Sequence, residues 1–263
     1  MKLILVGCEY VGKTTLQLLI TEWLQRNTGS HRPFFHDHFN LPSGESPPIN
    51  SQLSVKMQEE LMGLSPKLKE MFQRYALEYH LSPSFYAHSD HGLIGFHIEE
   101  AVYAPLYYGY GKPGAYADRQ VLARSIEAEI MKKAPETVLI LMKASPGVIV
   151  KRMRKNPRPK GPVKEGDIEY LLKRFQEEYD RTLIRKRFVL DTTTATIPET
   201  FAEFTTSIQP HLTDEDRLRL LSQLLPTRRA AQDAEIQYFP QDDLRLVGSH
   251  HPDKDPVHDC NDS

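Results

Sequence analysis

Eight consecutive residues near the N-terminus carry the clearest chemical signal. Residues 7–14 read Gly-Cys-Glu-Tyr-Val-Gly-Lys-Thr and match the phosphate-binding pattern G-x-x-x-x-G-K-[ST] at every fixed position. In such a loop the backbone N–H groups face an anion, the lysine pairs with the terminal phosphates and the threonine supplies an oxygen to Mg²⁺. A glycine turn that only joins a strand to a helix is the alternative. We expect ATP or GTP to bind at Gly7, Cys8, Glu9, Tyr10, Val11, Gly12, Lys13, Thr14 and Thr15.

A phosphate loop defines a broad class, and further motifs separate its branches. GTP switches carry a guanine-reading N-K-x-D motif, and motor ATPases an apolar run that ends in Asp. The sequence contains neither, so small-molecule kinases remain. The basic run from Lys151 to Lys160 could supply cations to a transferring phosphoryl group, or it could be a solvated helix end.

The loop must lie between a strand and a helix. Leu3 to Val6 is a short apolar run that ends at glycine, typical of a central parallel strand, and Thr14 to Arg26 has helical spacing. Further strands are predicted over 33–36, 92–98, 138–142 and 187–190. Further helices are predicted over 53–62, 117–133, 146–155, 168–185 and 198–208, and one from Pro66 with Leu68, Phe72, Tyr75, Ala76 and Tyr79 on one face. This alternation predicts an α/β fold, a parallel sheet with helices on both faces.

From Met1 to about Gln209 the sequence resembles the deoxyribonucleoside kinase and thymidylate kinase group of P-loop kinases. Besides the phosphate loop, the resemblance is carried by Phe-Gln-Arg-Tyr at 72–75, by Ala-Ser-Pro-Gly-Val at 144–148 with the arginines that follow it, and by residues 188–193 with Ile197-Pro198. The resemblance implies a three-layer fold with a lid. It also implies transfer of the ATP γ-phosphate, with Mg²⁺, to a small acceptor, a nucleoside or nucleoside monophosphate.

The resemblance also assigns site residues. It places Asp37 as base or acceptor-positioning group, Gln73 on the edge of a nucleobase, Glu99 near the metal with Thr14, and Asp191 near the adenine ring. Arg74, Arg119 and Arg124 are further candidates for a cation near the acceptor. It places the lid arginines at Arg152, Arg154 and Arg158. One departure concerns Glu100, which stands where the family has an arginine near the acceptor. A glutamate cannot clamp an anion, so Glu100 favours a neutral hydroxyl acceptor over a monophosphate, although it could equally be a solvated loop residue.

Composition sets the outer limits. The 263 residues contain 33 Lys plus Arg against 35 Asp plus Glu, so no chain-wide basic field favours nucleic-acid binding. Two cysteines exclude a disulfide framework and fit a cytoplasmic location, and no apolar stretch has the length of a membrane span. The histidines of 36–38, 88–91 and 250–258 lack the paired spacing of a zinc site.

We expect a kinase-like domain over 1–212, a helix over 213–225 and a polar tail over 226–263 that is disordered or loosely docked. A homodimer stays open. Two other functions also stay open: a P-loop kinase for another small metabolite, and a nucleotide-binding regulatory protein with little or no transfer activity. The Glu99-Glu100 pair and the tail motivate the second.

Overall fold

The computed structural model describes residues 1–29, 35–37, 54–158 and 161–224. Its strands form a five-stranded sheet in the order β2-β3-β1-β4-β5, and every neighbouring pair is parallel. The strands are β1 (Lys2–Val6), β2 (Phe35–Asp37), β3 (His91–Ile94), β4 (Val138–Lys143) and β5 (Lys186–Asp191). The predicted α/β class is therefore confirmed.

The central strands are apolar because both faces of the sheet are covered. Leu3, Leu5 and Val6 are completely inaccessible to solvent, and so are Leu139 and Ile140 of β4. Their register is fixed by parallel pairing, for example Leu5 with Ile94 on one side and with Ile140 on the other. The core of the molecule therefore lies directly beneath the loop that follows β1.

Helices connect the strands. They are α1 (Lys13–Thr28), α2 (Val55–Gly63), α3 (Pro66–Tyr79), α4 (Pro83–Tyr86), α5 (Phe96–Tyr103), α6 (Arg119–Lys133), α7 (Pro146–Lys155), α8 (Ile168–Asp180), α9 (Ile197–Ser207) and α10 (Asp214–Leu224). A π-helical segment, Ala104–Tyr108, continues α5, and 3₁₀ turns occupy Glu165–Asp167 and Gln209–His211.

The helices pack in two groups. Helix α1 contacts α9 and α10, whereas α5 contacts α6 and α8. Right-handed parallel crossovers explain the division, because the chain moves from β1 towards one edge of the sheet and later crosses β1 towards the other edge. The two groups flank the sheet as outer layers.

Two local predictions were wrong. The strand predicted over 92–98 ends at Ile94, and helix α5 begins at Phe96, so Glu99 and Glu100 lie in the first turns of a helix. The apolar face predicted for α3 was wrong for Leu68 and Tyr75, whose side chains are at least half exposed, although Ala76 of that face is buried. Long-range polar contacts, described below, bury the other side of α3.

Other boundaries differ by a few residues. The predicted helix over 117–133 begins at Arg119, because Ala117 has a positive φ of 58° and the Asp118 side chain caps the helix through the N–H groups of Gln120 and Val121. Residues 33 and 34 and the tail after 224 lie outside the described residues. Among the helices that are described, none has both the length and the apolar composition that a membrane crossing needs.

Candidate nucleotide-binding and transfer site

The phosphate loop joins the buried end of β1 to α1. Gly7 has φ of 148°, and a Cβ there would lie 2.4 Å from the Met142 carbonyl oxygen, so a larger residue would push the loop away from β4. Gly12, with φ of 100°, is the N-cap of α1 and has no side chain to cap the free N–H groups. Backbone N–H groups at this helix end are therefore free to face an anion, as the sequence motif predicts.

Lys13 is held inside the loop. Its ammonium group donates to the carbonyl oxygens of Gly7 and Cys8, the latter at 3.3 Å, and forms an ion pair of 2.7 Å with Glu99. Both side chains are about nine-tenths buried. Glu99 reaches Lys13 because β3 ends at Ile94, beside Leu5, and Gly95 donates its N–H to Leu5 O at 2.8 Å. Lys13 and Glu99, which the sequence predicts separately as site residues, therefore lie together.

A cavity of about 590 Å³ opens over the loop. At the phosphate end it is lined by the loop residues Cys8 to Thr15 with Arg158, and farther away by Arg152, Asn156 and the residues Thr192, Ala195, Thr196 and Ile197. The hydroxyl-bearing residues Thr14 and Thr15 are exposed at the start of α1. The cavity thus has an anion-binding end and a mixed polar and apolar end that suits a purine base.

The three predicted lid arginines lie in different environments. Arg152 donates to Tyr10 O at 3.0 Å and to the hydroxyl and carbonyl oxygens of Thr192 at 3.0 and 2.7 Å, so it ties the phosphate loop to the segment after β5. Arg158 lies at the cavity with its guanidinium 5.4 Å from the centre of the Tyr10 ring.

Arg154 is different, because the structure does not bring it to the cavity. It is 70% exposed and makes a bidentate pair with Glu165 at 2.9 and 2.7 Å. The two charges already satisfy each other in solvent, and the expected catalytic position is not the one that Arg154 occupies.

Asp37 and Asp191 are the last residues of β2 and β5, so both lie at the carboxyl ends of the parallel strands. The backbone of Asp37 is in register with Ile94, one residue before Gly95, so the end of β2 lies on the same side of the sheet as the start of α5, which carries Glu99. Asp191 does not line the cavity; its carboxylate accepts the N–H of Thr193 at 2.8 Å. Thr192 takes the position against the cavity that was expected for Asp191, and its hydroxyl donates to Val11 O at 2.9 Å.

Glu100 is buried, which excludes the alternative of a solvated loop residue. One of its oxygens accepts from Arg119 Nε at 3.0 Å and from the Tyr110 hydroxyl at 3.1 Å. Arg119, itself buried, also donates to Glu70 Oε1 at 3.0 Å. Glu70 in turn accepts from Arg74 at 2.6 Å. The glutamate that stands in place of the family arginine is therefore neutralised by an arginine from α6.

Gln73 lies one turn beyond Glu70 on the buried side of α3 and is 5% exposed. Its Oε1 has no hydrogen-bond partner among the described residues, and the same holds for Glu100 Oε1 and Arg119 Nη2. Unpaired buried polar atoms are costly, so this cluster has unused capacity for a polar ligand or water. It is the structural counterpart of the acceptor side that the resemblance implies.

Burial changes the acidity of the loop. It raises the pKa of Cys8 to about 12, which makes the thiol inert, although Lys13 acts in the opposite sense. Burial also raises the pKa of Glu9 above its ordinary value, while Arg158 and Lys13 oppose that rise. Tyr103 supports the loop from below, because its hydroxyl accepts the N–H of Glu9 at 3.1 Å.

Several of these residues escaped the sequence analysis. Glu70 was not predicted as a site residue, and no sequence pattern assigned Tyr103 or Arg119 the contacts that they make in the structure. The i,i+4 spacing of Glu70 and Arg74 was the one local signal available. The partners of Tyr103 and Arg119 are 94 and 49 residues away, beyond any local pattern.

Magnesium fits the oxygen groups present. Thr14 offers an exposed hydroxyl, and Glu99 a carboxylate whose Oε1 contacts Lys13 without an aligned hydrogen bond. Hard oxygen donors of this kind, together with phosphates, are the usual ligands of Mg²⁺. Clusters of three or more His, Cys, Asp or Glu side chains placed to hold a metal do not occur in the described part of the chain.

A parallel sheet whose central strand runs into a phosphate-binding loop, with a cavity above the loop, defines an α/β fold of the P-loop class. Neither a family model nor a curated protein matches the chain. Among solved structures it resembles YorR protein from Bacillus subtilis in complex with phosphorylated GDP, at 19% identity over 81% of this chain and 99% of that chain, with a TM-score of 0.49.

Two further solved structures are kinases. Thymidylate kinase from Ehrlichia chaffeensis is 14% identical over 79% of this chain and 98% of its own, with a TM-score of 0.49. Deoxyadenosine kinase from M. mycoides with bound dCTP is 15% identical over 80% of this chain and all of its own, also with a TM-score of 0.49. By name, these two neighbours are a nucleotide kinase and a nucleoside kinase. Likeness at this level leaves activity to be argued from the site itself.

Proposed function

We propose that the chain is an ATP-dependent kinase that transfers the γ-phosphoryl group to a small acceptor, a nucleoside or a nucleoside monophosphate. The observation that carries the proposal is the cavity over the phosphate loop, which both Lys13 and Arg158 line. Glu99 lies 2.7 Å from Lys13. A loop of this kind binds phosphates, and two cations at one cavity suit the charge that develops on a transferring phosphoryl group.

Each group then has a defined task. Loop N–H groups and Lys13 bind the β- and γ-phosphates, and Arg158 stabilises the equatorial oxygens during transfer. Arg152 keeps the loop and the base-binding segment at a fixed separation through Tyr10 and Thr192. Thr14 and Glu99 would hold Mg²⁺, which would neutralise charge on the phosphates when bound. Asp37 positions the acceptor hydroxyl or accepts its proton.

The acceptor side favours a neutral molecule. Arg74 and Arg119 are the cations next to Gln73, and both are paired with the carboxylates of Glu70 and Glu100. Two positive and two negative charges leave no net attraction for a phosphate-bearing acceptor. Within the proposal we therefore favour a nucleoside, whose base would use the unpaired oxygen of Gln73.

The test is acceptor-dependent release of ADP from ATP and Mg²⁺, screened over nucleosides, nucleoside monophosphates and other small hydroxyl compounds. Lys13→Ala should lower turnover by about 10²-fold to 10³-fold or more, because it removes a charged donor at the transferring group. Lys151→Ala, on an exposed position outside the cavity, is the matched control and should keep full activity.

Asp37→Asn should leave ATP affinity nearly unchanged and reduce turnover sharply. Wild-type turnover of Asp37→Asn with the acceptor found in the screen would remove Asp37 from the mechanism. Tight ATP binding without turnover for any nucleoside or nucleotide would refute the proposal in favour of a nucleotide-binding regulatory protein. Turnover with a different hydroxyl compound alone would assign the chain to another metabolite kinase.

A further inference from the structure

One residue of the phosphate loop is not explained by phosphate binding. Glu9 occupies a variable position of the motif, lines the cavity and has a mostly buried side chain. Its Oε2 is buried and has no hydrogen-bond partner among the described residues. A carboxylate beside phosphates is electrostatically unfavourable unless a cation stands against it. The loop therefore contains an acid that needs a specific partner.

That partner is Arg158, in the segment that follows α7. Arg158 Nη1 lies 3.8 Å from Glu9 Oε2, and the guanidinium also lies over the ring of Tyr10, 5.4 Å from its centre. An arginine with five N–H donors can be held by a carboxylate and an aromatic face and still present other N–H groups to a ligand. Arg158 itself lines the phosphate end of the cavity.

The two loop residues are themselves fixed from behind. Tyr10 has a positive φ of 67°, unusual for a bulky residue, and its carbonyl oxygen is held by Arg152 at 3.0 Å. The N–H of Glu9 is held by the Tyr103 hydroxyl. Backbone strain retained by surrounding contacts indicates that the direction of the Tyr10 ring is specified by the fold.

We propose that Glu9 and Tyr10 form a seat that positions Arg158 over the phosphate loop, so that Glu9 and Tyr10 are positioning residues and Arg158 is the group that touches the phosphoryl group. The proposal rests on the proposed kinase function for its purpose, because a preplaced cation stabilises transferring charge without reorganisation. The seat itself is a contact within the chain and can be measured without any acceptor.

The experiment is hydrogen exchange with mass spectrometry on the full chain without nucleotide, following peptides that span residue 158. Glu9→Gln removes the charge at constant size, and Tyr10→Leu removes the ring. We expect each to speed exchange about twofold to fivefold, which is the contribution of one partly exposed ion pair or cation–π contact. Tyr10→Phe keeps the ring, so the peptides that span residue 158 should exchange at the wild-type rate in this variant. Glu165→Gln, which breaks the exposed pair with Arg154 instead, is the matched control and should leave peptides at residue 158 near wild type.

A double-mutant cycle separates the seat from a general effect on the loop. In the Arg158→Gln background, Glu9→Gln and Tyr10→Leu should cause no further change, because the group they hold has gone. Equal effects with and without Arg158 would overturn the proposal, and so would unchanged exchange in Glu9→Gln or Tyr10→Leu. With an acceptor in hand, Glu9→Gln and Arg158→Gln should lower kcat non-additively with little change in KM for ATP. If the double-mutant cycle gives the expected exchange rates but the protein has no kinase activity, the seat is supported and only the proposed function is refuted.

Discussion

The turn between β3 and α5 offers the sharpest test of how the site is built. Gly95 has φ of 75° and ψ of −70°, and a Cβ added there would lie 2.3 Å from the carboxyl carbon and Oε2 of Glu99. Because real Cβ atoms do not approach so closely, Gly95→Ala must move Glu99, and with it the ion pair to Lys13. Gly95→Ala should therefore lower the free energy of unfolding in two ways.

The first cost is the positive φ, about 1–3 kcal/mol for a residue with a Cβ in a sparsely populated backbone region. The second is the displaced carboxylate, about 1.5–3 kcal/mol for an interaction with a charged, largely buried partner. Gly114 has a similar φ of 69° but nothing within 4 Å of an added Cβ, so Gly114→Ala incurs the first cost alone. Gly95→Ala should be less stable than Gly114→Ala by about 2 kcal/mol, which corresponds to about 4–8 °C in Tm for a chain of this size.

Thermal unfolding of the full chain, followed by circular dichroism or calorimetry, measures this difference. A second comparison identifies its cause: in a Glu99→Ala background the clash has no carboxylate to meet, and Gly95→Ala should cost no more than Gly114→Ala. Equal Tm values for Gly95→Ala and Gly114→Ala in the wild-type background, within about 2 °C, would show that the close approach of Gly95 and Glu99 does not fix the acid at Lys13.

Three further outcomes are expected. Arg154→Ala should leave ATP affinity unchanged in calorimetric titration, whereas Arg152→Ala should weaken it, since Arg152 contacts the loop at Tyr10 O and Arg154 pairs with Glu165 instead. Burial raises the pKa of Glu127, but contacts with His97, Thr182 and the Leu183 N–H outweigh it and keep that pKa below its ordinary value. The stability lost in Glu127→Gln, measured as a Tm difference, should therefore be full above pH 4.5. It should shrink as the pH falls through the folded pKa. ATP affinity should fall when EDTA removes Mg²⁺, and less so in Glu99→Gln.

Local signals predicted the part of the site that lies in consecutive residues. The phosphate loop and the start of α1 could be predicted because glycine, lysine and threonine at fixed spacing define both conformation and chemistry. The apolar strands could be predicted because a strand that is buried on both faces is a continuous apolar run in the sequence. The strand predicted to reach residue 98 failed because Gly95 and Phe96 take positive φ values, and the chain turns there into α5.

The acceptor side could not be predicted in the same way. A pattern method assigns apolar residues to the core, whereas α3 buries Glu70 and Gln73 and exposes Leu68, Met71 and Tyr75. The reason is Arg119, whose two ion pairs reach across 49 and 19 residues of sequence. Likewise, spacing within the basic run could not show that Arg158 reaches the loop while Arg154 turns to Glu165.

Charge pairing around the loop explains why a cation and a nucleotide should bind together. Without ligand, Lys13 is matched by Glu99, and Arg158 stands against Glu9. Phosphates that draw Lys13 away leave the Glu99 carboxylate, about nine-tenths buried, without its counter-charge, and an unpaired charge in such a place is strongly unfavourable. A divalent cation at Glu99 would remove that penalty. Because the coupling between two ligands is reciprocal, we expect nucleotide and Mg²⁺ to increase each other's affinity through the acid that holds Lys13 in the free loop.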